Sequence, residues 1–422
     1  MSHQISGLSR LSSTVSLDHW DLTLLYLRLD SSAFVIDLLV ALERRGTAAS
    51  AKVAGGLLQL LNEYYYFELN PDITIYNCVL NAWAKAAKES CTGRSGLASA
   101  QKGDEVLCRL LARDREESSM LPQPNEYSFL MTLNAWANAA STARSAGHLG
   151  DGIIAAQHAD QLLKKMQKQM LNTTKTTLAC YGAVIKTWAS LGNSERAHAV
   201  LMEMVQISGH LQQDLIHFNT VLDAWARDLE SAKDLDTVVP RLSSIHDFLL
   251  NMNTRVGSFN VDPDTSSCNH VIRACYAPWA SSKTHGDEII RRKAFEIAYE
   301  TFVMMSQDYN SAHRPDAHTY IHIFKAIACL LPTAEADNET CKAVLQACCR
   351  DGHLTKTSIW IIGKMLSSED ELAELILSLM DHPGQLNKEK LLNISEDRLF
   401  ASLPREWSRN GQKLKTLNRQ RQ

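Results

Sequence analysis

The sequence predicts an all-α fold built from repeated helix pairs, and three observations carry that prediction. The stretch Ile73–Lys85 places Tyr76, Leu80 and Trp83 at i, i+4 and i+7, one apolar stripe of a helix. The same stretch is then written again: NAWAKA at 81–86 returns as NAWANA at 134–139, KTWASL at 186–191 and DAWARD at 223–228. Between these copies runs a second pattern, a small residue followed by large apolar ones four and seven positions on. Two amphipathic helices per unit cannot bury their apolar faces alone, and stacking unit on unit solves this as a solenoid.

Taken in order, residues 19–45 read as one or two apolar helices at the N-terminal end, and Ala51–Glu68 as another, closed by the aromatic run 64–67. Packing under the next helix is the plain reading of that run, base stacking the sharper one. Helix A of the first unit starts at Ile73 behind Pro71-Asp72, with Asp72 where an N-cap belongs. Anchors at Trp83, Trp136, Trp188, Trp225, Cys275 and Ile327 mark six units, separated by 53, 52, 37, 50 and 52 residues. Helix B is marked by Gly103-Leu107-Leu110, Ala159-Leu163-Met166, Ala197-Leu201-Met204 and Ala298-Phe302-Met305. The step of 37 is the unpadded unit. In the first two units the padding, CTGRSGLASA and STARSAGHLGDG, is expected to form loops between helices A and B. Thr340–Arg350 reads as the last B helix, broken at Asp351-Gly352, and Ser358–Met365 and Leu372–Met380 as capping helices. The resulting division is 1–18, a faint targeting segment; 19–72, N-terminal helices; 73–350, the repeats; 351–382, capping helices; and 383–422, a basic extension.

Composition narrows the function classes. Among 422 residues, 43 Lys+Arg against 47 Asp+Glu give a formal net charge of −4, which speaks mildly against a strong nucleic-acid binder. The charge is uneven: six basic residues and the single acid Glu406 follow Pro404. The 10 Cys form no CxxC pair and suit reduced thiols inside a cell. No apolar run is long enough to span a membrane. Residues 1–17 are Ser-rich, carry Arg10 and no acid, a faint signature of import into an organelle. Catalytic constellations are missing. His318 and His322 have the i, i+4 spacing of a zinc pair but no Glu follows His318, and no deaminase or metallonuclease pattern is present. The expectation is a non-enzymatic protein without cofactor or metal.

The aromatic-Asn start of helix A, the A-x-x-x-L-x-x-M of helix B and the Pro-Asp ending resemble the pentatricopeptide repeat of organellar RNA-binding proteins. Leu178–Asp214 is the unit most similar to it, and six units from Ile73 to about Arg350 follow the pattern. The resemblance implies a right-handed superhelix that binds single-stranded RNA, one base per repeat, in a mitochondrion or plastid. It further implies that a base is read by the fifth residue of helix A together with the last residue of the same unit. Carried over, this pairs Asn77 with Asn125, Leu130 with Thr177, Gly182 with Asp214, Asn219 with Asp264 and Asn269 with Asp316, and leaves Ile321 without a partner. Asn with Asp resembles a uridine reader and Asn with Asn a pyrimidine reader; an amide can donate and accept at such an edge while a carboxylate orients it.

A plainer role stands beside each of these. Asp72, Asn125, Thr177, Asp214, Asp264 and Asp316 are all N-cap types. The four Trp share a stripe with Tyr76, Phe129, Tyr181 and Phe218 and belong to the core. Lys85 and Arg227 are candidates for phosphate contact or for a solvated face. Leu130 and Ile321 cannot hydrogen-bond a base, and Gly182 has no side chain to do so. The alternative reading is a scaffold solenoid that binds peptide segments in its groove.

Overall fold

The computed structural model describes residues 32–63, 71–90, 92–112, 121–169, 175–208, 214–232, 234–252, 261–280, 287–307, 313–331, 338–366, 369–380 and 396–410. The segment 1–18, the aromatic run 64–67 and the end of the basic extension lie outside these. Every regular element among the described residues is helical, and none is a strand. The chain divides into two compact units, residues 1–211 and 212–422.

The first unit holds α1 (Ser32–Arg45), α2 (Ala48–Glu63), α3 (Ile73–Lys88), α4 (Gly93–Leu111), α5 (Glu126–Ser145), α6 (Leu149–Gln169), α7 (Lys175–Ser190) and α8 (Ser194–Ser208). Helices α3, α5 and α7 are the A helices; α3 packs on α5 and α5 on α7, while α4, α6 and α8 pack as their B partners. The expected stripes are the core. Tyr76, Phe129 and Tyr181 are buried, as are Leu80, Trp83, Trp136 and Trp188. Trp136 stacks on His158 of α6 with ring centroids 4.5 Å apart, and Trp188 Nε1 donates to Asp160 Oδ1 at 3.2 Å. Each Trp therefore joins an A helix to a B helix, as its position on the stripe requires.

The padding departs from expectation. Neither CTGRSGLASA nor STARSAGHLGDG is a loop: α4 begins at Gly93, α5 runs on to Ser145 and α6 begins at Leu149. The extra residues become additional helical turns although Gly and Ser are poor helix formers, because their small size suits a close seam: a Cβ on Gly96 would lie 3.5 Å from Ala139 Cα, and Ala143 is buried. Beside them Ala86, Ala87, Ala139 and Ala140 are buried where α5 lies against α3. Polar side chains tie the same seam, with Asn138 Nδ2 and Thr142 Oγ1 donating to the carbonyls of Ala84 and Ala87 at 2.8 and 3.0 Å. Only a tight reversal at Gly147 separates α5 from α6, and Gly192 serves between α7 and α8, both at positive φ where a side chain would be strained.

The second unit holds α9 (Leu215–Glu230), α10 (Val238–Met252), α11 (Thr265–Ala280), α12 (Glu288–Gln307), α13 (Ala317–Leu330), α14 (Asn338–Asp351), α15 (Lys356–Met365), α16 (Glu369–Ser378) and α17 (Glu396–Ser402), followed by a 3-10 turn, Arg405–Ser408. Here α9, α11 and α13 are the A helices, each against the next, with α10, α12 and α14 behind them. Phe218, Cys268 and Tyr320 are fully buried at the aromatic place, and Cys275 and Ile327 at the Trp place. Trp225 is only half-buried and meets Phe248 edge-on at 5.2 Å. Helix α15 packs on α13.

Part of the basic extension folds back on the last helix pair. Leu354 N donates to Trp407 O, and Asn410 N to Gly352 O, both at 2.8 Å, while Asn410 Nδ2 donates to Asp351 O. Leu399 and Leu403 are buried, and α17 packs on α15. Gly352, at φ +74°, leaves just enough room for Arg409: a Cβ on it would sit 2.5 Å from Arg409 Cγ.

Candidate nucleic-acid interface

The asparagines and the caps paired with them lie at the starts of A helices, whereas Lys85 and Arg227 lie in the last turns of α3 and α9 and Gly182 is the eighth residue of α7. Asp72, Asn125, Asp214 and Asp316 are N-caps, accepting from Ile75, Ser128, Ile216 and Thr319 N–H respectively. Asp264 does the same for Ser267 N at 2.8 Å. An N-cap oxygen is drawn to this position because the first N–H groups of a helix have no partner within it. Thr177 is the exception. Helix α7 begins at Lys175, so Thr177 sits inside its first turn, buried, and does not cap it.

Three of the five pairs meet side chain to side chain. Asn77 Nδ2 donates to Asn125 Oδ1 at 3.2 Å, Asn219 Nδ2 to Asp264 Oδ1 at 3.1 Å, and Asn269 Nδ2 to Asp316 Oδ1 at 3.3 Å. In each, the fifth residue of one A helix reaches the cap of the next A helix. The cap oxygen faces the helix N–H, so the neighbouring asparagine must present its nitrogen to it. This is a donor–acceptor requirement, and it sets the amide's orientation in all three places.

A third residue, which the sequence reading missed, completes the cluster. Ser128 Oγ donates to Asn77 Oδ1 at 2.7 Å, and Ser267 Oγ donates to Asn219 Oδ1 at 2.6 Å. These serines stand at the third place of α5 and α11, and their N–H groups are the ones that the caps satisfy. Thr319 holds the equivalent place in α13, but its Oγ1 lies 3.0 Å from Asp316 Oδ1 instead. Asn269 Oδ1 is left buried with no partner among the described residues.

Counting what remains gives the chemistry of each place. The Asn77–Asn125 cluster keeps one N–H of Asn77 and the amide nitrogen of Asn125, a donor beside a donor. The other two clusters keep one asparagine N–H beside the second carboxylate oxygen of Asp264 or Asp316, a donor beside an acceptor. All six residues are partly exposed. The remaining places offer nothing comparable: Leu130 and Ile321 are apolar and half-buried, and Gly182 is buried in the first unit while its assigned partner Asp214 is exposed in the second.

The two cations expected near phosphate are both engaged. Lys85 Nζ pairs with Glu43 Oε1 at 2.8 Å, and Arg227 with Asp223 Oδ2 at 2.7 Å. Asp223 also holds Arg273 at 3.0 Å, with His270 Nδ1 at 3.6 Å, so two guanidinium groups share one carboxylate one turn beyond the Asn219 and Asn269 places. Burial pushes the His270 imidazole below its ordinary range, against the pull of Asp223, so it adds no charge near neutrality. His322, the second half of the i, i+4 pair, is instead held against Tyr276, whose hydroxyl lies 2.8 Å from His322 Nδ1.

Two further residues were missed. Tyr127 and Ile216, second residues of α5 and α9, are 57% and 61% exposed beside the caps Asn125 and Asp214. Both stand off the apolar stripe, two positions after the cap, and that was the available signal.

Fold and site together define an all-α helical-repeat protein in which asparagine–cap hydrogen bonds link α3 to α5, α9 to α11 and α11 to α13. The sequence matches no known protein family, and no characterised protein either.

Proposed function

We propose that the protein binds single-stranded RNA along the ends of its A helices, one base at each asparagine–cap cluster, without chemistry of its own. The observation that supports this is the meeting of Asn77 with Asn125, Asn219 with Asp264 and Asn269 with Asp316. These are residues 45 to 48 apart in the chain, paired beforehand by their resemblance to pentatricopeptide repeats. The residual donor and acceptor at the Asp264 and Asp316 clusters complement an acceptor next to an N–H donor, as on uracil. The donor pair at Asn125 complements adjacent acceptors, as on cytosine. Tyr127 offers a face on which a base can stack. Arg227 and Arg273 supply positive charge along the same side of α9 and α11. By the same resemblance the site of action is a mitochondrion or plastid, where occupancy of a transcript would affect its processing, stability or translation.

The test is binding of the full chain to short single-stranded RNAs over a salt series. The expected result is salt-sensitive affinity favouring uridine at two adjacent positions, weakened by Asn219→Ala with Asn269→Ala while helicity is kept. Absence of binding to every single-stranded pool overturns the reading. It would favour the other class, a scaffold that holds protein segments, to which the formal net charge of −4 and the three places without a reading side chain belong more naturally.

A further inference from the structure

The three asparagine clusters have the same outline but differ in one bond. At Asn77 and Asn219 the amide is held at both ends, its nitrogen by the cap and its oxygen by a serine hydroxyl at 2.7 and 2.6 Å. At Asn269 only the nitrogen is held, by the longest of the three cap bonds at 3.3 Å, and the oxygen has no donor among the described residues. An amide pinned at both ends cannot turn about its last torsion, so it offers the outside a single N–H. An amide held only through its nitrogen keeps that orientation but can swing about its last torsion, so the direction of its remaining N–H is set less closely.

We propose that Ser128 and Ser267 are positioning residues for base recognition. Their hydroxyls fix the direction in which the Asn77 and Asn219 amides point their remaining N–H, and Thr319, whose hydroxyl goes to Asp316, leaves Asn269 the least discriminating of the three. This rests on the RNA reading above and deepens it. Selectivity at each place is then set by three residues, the third lying 48 to 51 positions from the asparagine that it orients. It also assigns unequal weight to two places that share the residues Asn and Asp: the Asn219 place is strict, and the neighbouring Asn269 place is lax.

The experiment uses the full chain and RNAs in which each uridine of a bound oligomer is replaced in turn by cytidine. In Ser267→Ala the uridine preference at the Asn219 place falls roughly three- to tenfold, the value of one net hydrogen bond, while preferences elsewhere hold. In Thr319→Ser the preference at the next place rises by a similar factor. A loss of helix stability alone would weaken all the oligomers together and move no single preference. A second readout needs no RNA: with isotope-labelled asparagine, the Asn219 side-chain amide becomes as mobile in Ser267→Ala as that of Asn269 in the parent. Unchanged preference in both variants overturns the proposal. An Asn219 amide that keeps its order without the hydroxyl overturns the positioning itself, whether or not RNA binds. A parent chain that binds no RNA overturns the RNA reading and the claim on selectivity with it.

Discussion

Removing the Asp264 carboxylate should cost the second unit more than removing an ordinary helix cap, and the excess can be worked out bond by bond. Asp264 Oδ1 accepts from Ser267 N at 2.8 Å and from Asn219 Nδ2 at 3.1 Å, the single Ser267 hydroxyl hydrogen going to Asn219 Oδ1. Loss of the cap bond costs about 1 kcal/mol. The partly buried side-chain donor adds about 1 kcal/mol. Asp264→Ala should therefore destabilise by about 2 kcal/mol. Asp214→Ala is the internal comparison. Asp214 is exposed and caps α9 through Ile216 N at 3.0 Å, so its loss should cost about 1 kcal/mol or less. The link between the two A helices is isolated by a double-mutant cycle with Asn219→Ala, where a coupling of about 1 kcal/mol is expected. Urea unfolding followed by far-ultraviolet circular dichroism measures all four proteins of the cycle. A coupling inside the additivity error, about 0.3–0.5 kcal/mol, would refute the claim that the asparagine–cap bond joins one repeat to the next.

Other outcomes follow from the same structure. Burial, aided by Lys325, His318 and Arg273, lowers the pKa of His322 to about 4 from an ordinary 6.5. The folded state thus favours the neutral ring, so the stabilisation is intact above pH 6.5 and is lost as pH falls towards 4. About 3 kcal/mol is at stake, and His322→Gln, which keeps an acceptor for Tyr276, should remove that part of the difference between urea midpoints at pH 7 and pH 4.5. Trp136→Phe should be tolerated better than Trp188→Phe by about 1 kcal/mol, since Trp136 Nε1 has no partner among the described residues whereas Trp188 Nε1 donates to Asp160; thermal melts would compare them. Gly352→Ala imposes left-handed strain of about 1–2 kcal/mol and crowds Arg409 and the Glu406 carbonyl, so tryptic cleavage at Arg405 and Arg409 should quicken.

Much of this was legible from residues alone. A Trp seven positions beyond an aromatic defines a stripe, and Pro-Asp before it defines a helix start, so the A helices and most of their caps could be placed without coordinates. The padding could not. Gly, Ser and Ala in a row read as a loop, yet Ala favours helix, and small side chains are what two closely packed A helices require. Thr177 was misplaced because Asn172, Thr173, Thr174, Thr176 and Thr177 are all cap types, so residue type alone does not say which precedes a helix that starts at Lys175. At the candidate site the asparagine–cap pairs were legible because the repeat aligns them. Ser128 and Ser267 were not, since at the third place of a helix a serine looks like part of a capping box and nothing local reveals a partner some fifty residues away.

The shared cap oxygen has a consequence for how such a surface can change. One atom both begins a helix and faces the side chain of the preceding unit, so substitution at that position is filtered first by folding. Only residues able to start a helix pass, and of these Asp, Asn, Ser and Thr still offer an oxygen to the neighbouring amide. The vocabulary available at Asn125, Asp264 and Asp316 is therefore short, and it is written by helix physics before any ligand has a say. Diversity must come from the fifth place, which no helix start depends on, and there the chain already carries Asn, Leu and Ile.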